Sequence, residues 1–226
     1  MKLALVNPNT NADTTAAMLA IARDAAPPAV QVQGFTAAFG APLIQNPPAL
    51  GLAAGAVEAL AGSLAGFDGV IVSAFGDPGR DRLAAALPAP VVGIAEAGMA
   101  LAARRSGGRF AVVTTTPDLT ESIRETARAY GHGEALVAVR TTRGDAAALM
   151  ADPPRLQQAL AQLIADAVAQ DGARAIVIGG GPLALAARRL SGRFAVPIIE
   201  PIPAAVAHLC RLLKAPEAEN AARPGR

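Results

Sequence analysis

The chain has 226 residues, of which 52% are hydrophobic but only 3% are aromatic, so Ala, Val, Leu and Ile side chains must form its core. The formal net charge is +2 and the basic residues form no run with interleaved aromatic residues, which argues against nucleic-acid binding. The single cysteine excludes an internal disulfide, and the short or interrupted apolar stretches argue against a signal peptide or a membrane span, which together predict a cytoplasmic protein.

Eight short apolar runs, taken in chain order, predict the strands of an α/β protein. They are "KLALV", "VQVQGF", "GVIVSA", "PVVGI", "RFAVVTT", "ALVAVR", "AIVIGG" and "PIIEPI". Their apolar residues are continuous or nearly so, which is typical of strands that are covered on both faces. Helical segments such as "TTAAMLAIARDAA" and "PPRLQQALAQLIADAVAQDG" lie between them. This alternation predicts mainly parallel sheets flanked by helices.

The two halves of the chain repeat each other at a nearly constant offset. The segment "KLALVNPNT" at residue 2 matches "RFAVVTTTP" at residue 109, "IVSAFG" at 71 matches "VIGGGP" at 177, and "PVVGIAEA" at 90 matches "PIIEPIPA" at 197. Three matches in the same order indicate a duplication. We therefore expect two α/β lobes related by a pseudo-twofold axis, with an active-site cleft between them. The expected lobes are residues 1–104 and 105–213, and an exchange of strands or helices between them is compatible with the sequence. Residues 214–226 are expected to form a disordered tail.

Polar side chains follow the first and fifth runs. Asn7, Asn9 and Thr10 stand where a strand end enters a helix, and donors there can hold a carboxylate or a ureide carbonyl. The alternative is that Asn9 or Thr10 is simply the N-cap of that helix. Thr114–Thr116 occupy the equivalent position in the second half, and three hydroxyl groups are more than a cap requires.

Glycine-rich turns follow the third and seventh runs. Gly76 and Gly79 in one turn and Gly179–Gly181 in the other would leave main-chain N–H groups free to face an anion. Donors on both sides of a cleft would stabilise an oxyanion. A run of three glycines fits a plain tight turn equally well.

Two carboxylates are the candidate catalytic residues. Asp77 lies in the turn after the third run, although an Asp before Pro usually accepts main-chain hydrogen bonds. Glu200 ends the eighth run where its repeat partner is Gly93, and Glu96 lies just past Gly93. Burial would raise the pKa of such a carboxyl towards neutrality, as a general base requires.

No motif predicts a metal or a cofactor. His132 is expected in a loop, while His208 and Cys210 are expected to pack on the last helix. No group of His, Cys, Asp and Glu has metal-ligand spacing, and the chain has neither a phosphate-binding loop nor a dinucleotide fingerprint.

Over residues 2 to 210 the sequence resembles the aspartate/glutamate/hydantoin racemase family, in particular its hydantoin and allantoin racemase branch. The segments that carry the resemblance are "VNPNTN", "GAPLI", "AFGDPG", "VVTTTPDL" and "VIGGGPLA". In such racemases two cysteines flank the α-carbon of the substrate, one taking a proton as thiolate and the other donating one to the opposite face. The resemblance places those two positions at Ala74 and Gly180, so the two-thiol mechanism cannot operate here.

The resemblance also implies substrate contacts and an assembly. It places Pro42 and Ile44, with Phe39 beside them, in an apolar pocket wall, and Thr114–Thr116 on the carboxylate or amide of the substrate. The residues around the two former cysteine positions, Phe75, Gly76, Gly181 and Pro182, are expected to contact the ligand as well. A homo-oligomer is expected.

Several functions remain open from the sequence. The first is an enzyme that acts on a small carboxylate or cyclic ureide, of hydantoin, thiohydantoin or malonate type, by a hydrolytic or lyase mechanism without cysteine. The alternatives are a cysteine-free racemase and a non-catalytic accessory protein that binds a small ligand. An ionisable side chain aimed at the cleft would distinguish an enzyme from a binding protein.

Overall fold

The structure is a computed structural model that describes residues 1–214. The strands are β1 (Lys2–Asn7), β2 (Gln31–Thr36), β3 (Gly69–Val72), β4 (Val91–Gly93), β5 (Phe110–Thr114), β6 (Leu136–Thr141), β7 (Ala175–Ile178) and β8 (Ile198–Ile199). The helices are α1 (Ala12–Ala25), α2 (Pro47–Glu58), α3 (Ala61–Leu64), α4 (Arg80–Ala86), α5 (Ile94–Ser106), α6 (Thr120–Ala129), α7 (Ala146–Met150), α8 (Pro153–Asp171), α9 (Ala184–Leu190) and α10 (Pro201–Lys214). Lys214 ends α10 and so does not open the expected tail, the rest of which lies outside the described residues.

Two four-stranded sheets form the framework, and their strand orders correspond. The orders are β2-β1-β3-β4 and β6-β5-β7-β8, and every neighbouring pair is parallel. The central strands are buried along nearly their whole length, as continuous apolar runs require. The predicted α/β class with two corresponding lobes is confirmed.

Each lobe contributes one helix that packs on the sheet of the other lobe. Helix α5 follows the last strand of the first sheet but packs on β7 of the second sheet, where Gly98 lies against Val177. Helix α10 follows the last strand of the second sheet but packs on β3 and β4 of the first, where Leu209 fills the space beside Gly69. One apolar core therefore runs through both lobes.

Helix starts follow local sequence. The side chain of Asn11 accepts a hydrogen bond from the N–H of Thr14, so Asn11 is the N-cap of α1 and neither Asn9 nor Thr10 has that role. Asn46 and Asp152 cap α2 and α8 in the same way, each followed by proline. Within residues 1–214, no helix has both the length and the apolar character that a membrane span requires.

Candidate functional site

A cavity of about 50 Å³ lies where the carboxyl ends of β3, β5 and β7 meet. Both lobes contribute to it, as expected for two parallel sheets that present their strand ends to each other. The lining residues are Asn9, Leu43, Ile44, Ser73, Ala74, Phe75, Thr114, Thr115, Thr116, Leu119, Ile123, Met150, Gly179, Gly180, Gly181, Pro182 and Leu183. Ala74 and Gly180, from opposite lobes, thus face the same cavity.

Most of the expected binding residues reach this cavity. Those that line it are Asn9, Ile44, Ala74, Phe75, Thr114, Thr115, Thr116, Gly180, Gly181 and Pro182. The expected binding residues that do not line it are Asn7, Thr10, Phe39, Pro42 and Gly76.

Asn7 is buried beneath the cavity and organises the turn after β1. Its Nδ2 donates to Asn9 Oδ1 at 2.8 Å and to Thr15 Oγ1 at 2.9 Å, while its Oδ1 accepts from the Asn9 N–H at 3.1 Å. Asn9 Oδ1 also accepts from the Asn11 N–H, so the amide oxygen of Asn9 is occupied. The Nδ2 group of Asn9 has no acceptor within residues 1–214 and is the donor that this turn offers to a ligand.

The other four expected residues that do not line the cavity have contacts or positions elsewhere in the adjoining loops. The N–H of Thr10 donates to the carbonyl oxygen of Ala41, which ties the turn after β1 to the loop after β2. Phe39 in that loop is 45% exposed, and Pro42 lines a neighbouring groove. Gly76 has φ +105° and turns the chain beside Leu50.

Neutral hydrogen-bond donors provide the polar part of the cavity. The main-chain N–H groups of eight lining residues have no acceptor in the described part of the chain: Leu43, Ile44, Ala74, Phe75, Thr115, Thr116, Gly180 and Gly181. Thr114 and Thr116 share a hydroxyl–hydroxyl hydrogen bond of 3.2 Å, and Ser73 Oγ donates to the sulfur of Met18 at 3.1 Å. Such donors suit a carbonyl oxygen, a carboxylate or a developing oxyanion.

None of the described residues that line the cavity carries an ionisable side chain. The remaining walls are apolar and come from Leu43, Ile44, Leu119, Ile123 and Met150. Within residues 1–214, no group of three His, Cys, Asp or Glu residues is placed to hold a metal ion. The side chains around the cavity can therefore donate hydrogen bonds, but they cannot act as a Brønsted base near neutral pH.

Asp77, expected as a base, is buried and does not line the cavity. Its Oδ1 accepts from the N–H of Ala95 at 2.9 Å, and its Oδ2 accepts from the N–H of Glu96 at 2.8 Å and from the hydroxyl of Tyr130 at 2.9 Å. The carboxyl thus caps α5, and a Cβ at Gly93 would overlap it. Burial raises the pKa of Asp77 to about 7, against the opposing effect of these three donors. In this structure Asp77 has a structural role, and its expected catalytic role stays a prediction.

Glu200 and Glu96 are also engaged elsewhere, and neither lines the cavity. Arg188 Nε donates to Glu200 Oε2 at 3.2 Å and also pairs with Asp24, which links α9 to α1 and to the start of α10. Glu96 accepts from Arg80 at 2.9 Å and from the N–H of Gly93 at 3.1 Å. Like Asp77, Glu200 has a structural contact where a catalytic contact was expected.

Six lining residues were not expected from the sequence. They are Leu43, Ser73, Leu119, Ile123, Met150 and Leu183. Gly179 belongs to the expected glycine turn, and Leu43 and Ser73 lie inside segments that also contain expected residues, so their neighbours could have indicated them. Leu119 and Ile123 lie on the buried face of α6 and the turn before it, where apolar spacing alone predicts core. Met150, at the end of α7, has no signal in the sequence.

Comparison with known proteins gives consistent matches. The model of the family described as Asp/Glu/Hydantoin racemase matches residues 3–209. A hydantoin racemase of Rhizobium meliloti is 31% identical, with 91% of this chain and 86% of that protein covered. A hydantoin racemase of Pseudomonas sp. (strain NS671) is 29% identical, with 91% and 83% covered. The solved structure of an allantoin racemase from Klebsiella pneumoniae superimposes with a TM-score of 0.89 at 30% identity, covering 94% of this chain and 87% of that one.

Proposed function

Because the chain belongs to the Asp/Glu/hydantoin racemase family, we propose that its cavity binds a small carboxylate or cyclic ureide of hydantoin type and acts on it without a thiol. The reaction is a lyase or hydrolytic one in which negative charge develops on an oxygen of the ligand. A single observation carries this proposal: the polar lining consists of neutral hydrogen-bond donors, with no ionisable side chain among the described residues.

The lining is complementary to a small planar ligand. The Nδ2 of Asn9 lies on the first lobe, and the main-chain N–H groups of Thr115 and Thr116 lie on the second. Each of these donors would meet a carbonyl or carboxylate oxygen of the ligand. Leu43 and Ile44 offer an apolar wall for the ring or the carbon skeleton. A cyclic ureide has this combination of several carbonyl oxygens on a compact ring.

Racemisation by two side chains is the family reaction that these residues do not support. It needs one group that removes the α-proton and another that donates a proton to the opposite face. Ala74 and Gly180 have no exchangeable side-chain proton. Gly180 also has φ +134°, a conformation that side-chain-bearing residues rarely adopt. A cysteine-free racemase would need proton-transferring groups that the described lining does not contain.

Loss of CO₂ is the reaction that requires the fewest catalytic side chains in such a site. In a ligand of malonate type, the bond between the α-carbon and the departing carboxylate breaks, and its electron pair delocalises onto the oxygen of the remaining carboxylate. The N–H donors stabilise that oxygen, and a water molecule then supplies the proton that the α-carbon takes up. Ring hydrolysis develops a similar oxyanion when water attacks a carbonyl carbon, but the water needs a base to take its proton. The absence of a base in the lining therefore favours the lyase reaction.

A binding protein without catalysis is the second candidate, and the same lack of an ionisable lining residue favours it. Calorimetry with unsubstituted hydantoin and with a malonate measures binding, and NMR in D₂O detects product and α-proton exchange. The proposal expects binding and a product, without exchange of the α-proton of unreacted ligand. Binding without product would favour the accessory protein, exchange without product would favour a racemase, and failure of both ligands to bind would reject the cavity as the site.

The hydroxyl of Thr115 has no hydrogen-bond partner within residues 1–214 and is a further donor that the lining offers to a ligand, so Thr115→Val, which removes this hydroxyl and keeps the shape of the side chain, is a suitable probe. We expect it to weaken ligand binding about five-fold, the usual net effect of one hydrogen bond. Thr126→Val is the matched control, because Thr126 donates to the carbonyl oxygen of Ser122 on α6 and does not line the cavity. Equal effects of both substitutions would contradict the assignment.

A further inference from the structure

A groove of about 480 Å³ lies beside the cavity. Leu43, Met150 and Pro182 line both spaces, so the two spaces adjoin at these residues. The other residues of the groove are Asn11, Asp13, Thr14, Ala17, Pro42 and Ala147.

The sizes of the two spaces indicate how a ligand would be divided between them. A volume of about 50 Å³ is a few times the roughly 10–15 Å³ that one water needs, and far below the roughly 300–1,000 Å³ of most ligand pockets. The cavity therefore accommodates the reacting head of a ligand and little more. A substituent on that head can extend past Leu43 and Met150 into the groove.

We propose that this groove is a specificity subsite, which binds a substituent with an apolar stem and a positively charged tip, and that Asp13 selects the charge of that tip. The inference rests on the function proposed above, since the groove serves a ligand whose head lies in the cavity. It adds the substrate class: a cyclic ureide or carboxylate that carries a cationic side chain.

The lining of the groove matches the two parts of such a substituent. Ala17, Pro42 and Met150 provide an apolar wall beside the opening, which suits a stem of methylene groups. Asp13 is the only charged residue among the described residues of the groove, and it forms no salt bridge within residues 1–214. Asn11 is already engaged as the N-cap of α1, so Asp13 is the group left to meet a charged tip.

The position of the substituent's apolar stem is tested with a substitution that fills the groove and leaves the lining of the cavity unchanged. Ala17→Leu adds bulk on α1, and Ala16→Leu is the matched control because Ala16 is exposed on the same helix and lines neither space. We expect Ala17→Leu to weaken binding of a hydantoin with a long alkyl chain about ten-fold and to leave unsubstituted hydantoin unchanged. Ala16→Leu should leave both affinities unchanged. Equal affinity of the long-chain ligand for both variants would overturn the subsite.

The charge preference is tested with hydantoins that carry aminoalkyl, alkyl or carboxyalkyl chains of equal length. The wild type should bind the aminoalkyl ligand more tightly than the carboxyalkyl ligand, and Asp13→Asn should reduce that ratio about three-fold, as expected for one exposed charge. High salt should reduce the ratio in the wild type only. An unchanged ratio in Asp13→Asn would overturn the role of Asp13. Failure of unsubstituted hydantoin itself to bind would instead reject the proposed function, and the subsite with it.

Discussion

The hydroxyl of Tyr130 donates a 2.9 Å hydrogen bond to the carboxyl of Asp77 and thereby joins the two lobes beside the cavity. Asp77 belongs to the loop after β3 that also carries Ala74 and Phe75, while Tyr130 ends α6 in the second half of the chain. Burial and the charge of Asp77 raise the pKa of Tyr130 above its ordinary value, so Tyr130 remains a donor. The positions of two cavity-lining residues thus depend on a contact outside the cavity.

Tyr130→Phe should destabilise the protein by about 1–3 kcal/mol, because it removes a hydrogen bond to a buried carboxyl. Denaturant unfolding measures this change. The effect should largely disappear in an Asp77→Asn background, since the two groups act on each other. Additive effects of the two substitutions would show that the contact is not energetically coupled.

Asp77 should make stability depend on pH in a defined direction. Its pKa is raised from 3.8 in an unfolded chain to about 7 in the fold, so between these values the folded state binds the additional proton. Its contribution to stability is therefore fully present below about pH 4, decreases as pH rises towards 7 and is constant above that. Unfolding of the wild type and of Asp77→Asn, measured from pH 4 to 8, should give curves that converge or cross as pH rises. Parallel curves would contradict the raised pKa.

Substitution of Gly180 should lower the free energy of unfolding even though Gly180 lines a cavity. Gly180→Ala should lose about 1–3 kcal/mol of unfolding free energy, because φ +134° is strained for any residue with a Cβ. Gly55→Ala is the control: Gly55 lies in α2 with open space around it, and the substitution should stabilise by about 0.5–1 kcal/mol. A neutral Gly180→Ala would show that this turn adapts easily.

A single thiol at position 74 should not create a racemase. Ala74 has an ordinary backbone conformation and lines the cavity, so Ala74→Cys should fold and present its sulfur to the ligand. One thiol serves only one face of the α-carbon, and position 180 disfavours a second. Polarimetry should therefore detect no enzyme-dependent loss of optical rotation of a chiral hydantoin, and a racemised product would refute this expectation.

Helix α10 should stabilise both lobes together. Leu209→Ala removes a fully buried side chain that packs beside Gly69 of the other lobe, and should cost about 2–5 kcal/mol. Leu212→Ala, at a position 47% exposed on the same helix, should change stability by less than about 0.5 kcal/mol. Because the core is shared, probes in both lobes should report one transition with the same shift. Separate transitions would indicate that the lobes unfold independently.

The fold was predictable from sequence because its signals are local and repeated. Continuous apolar runs predicted all eight strands, and the recurrence of segments such as "IVSAFG" and "VIGGGP" predicted two corresponding α/β lobes. The exchange of α5 and α10 between lobes depends on close packing at glycines such as Gly69 and Gly98, which no spacing in the sequence specifies.

The residues of the candidate site that directly follow a strand could be predicted from the sequence. Thr114 and Gly180 follow central strands, and the carboxyl ends of parallel strands meet in space. The contacts of the two carboxylates could not be predicted because their partners are distant in sequence: Asp77 meets the start of α5 and Tyr130, and Glu200 meets Arg188. Met150 reaches the cavity from a short helix, a placement that depends on the tertiary fold alone.

The exchanged helices restrict how a ligand can enter. A clamshell opening of the lobes would pull α5 away from β7 and α10 away from β3, and so would expose a large part of the core to water. Entry without such an opening has a route beside Leu43 and Met150, which line both the cavity and the groove. For the same reason, severing the chain between the lobes would leave each fragment with a helix belonging to the other, so we expect neither half to fold alone.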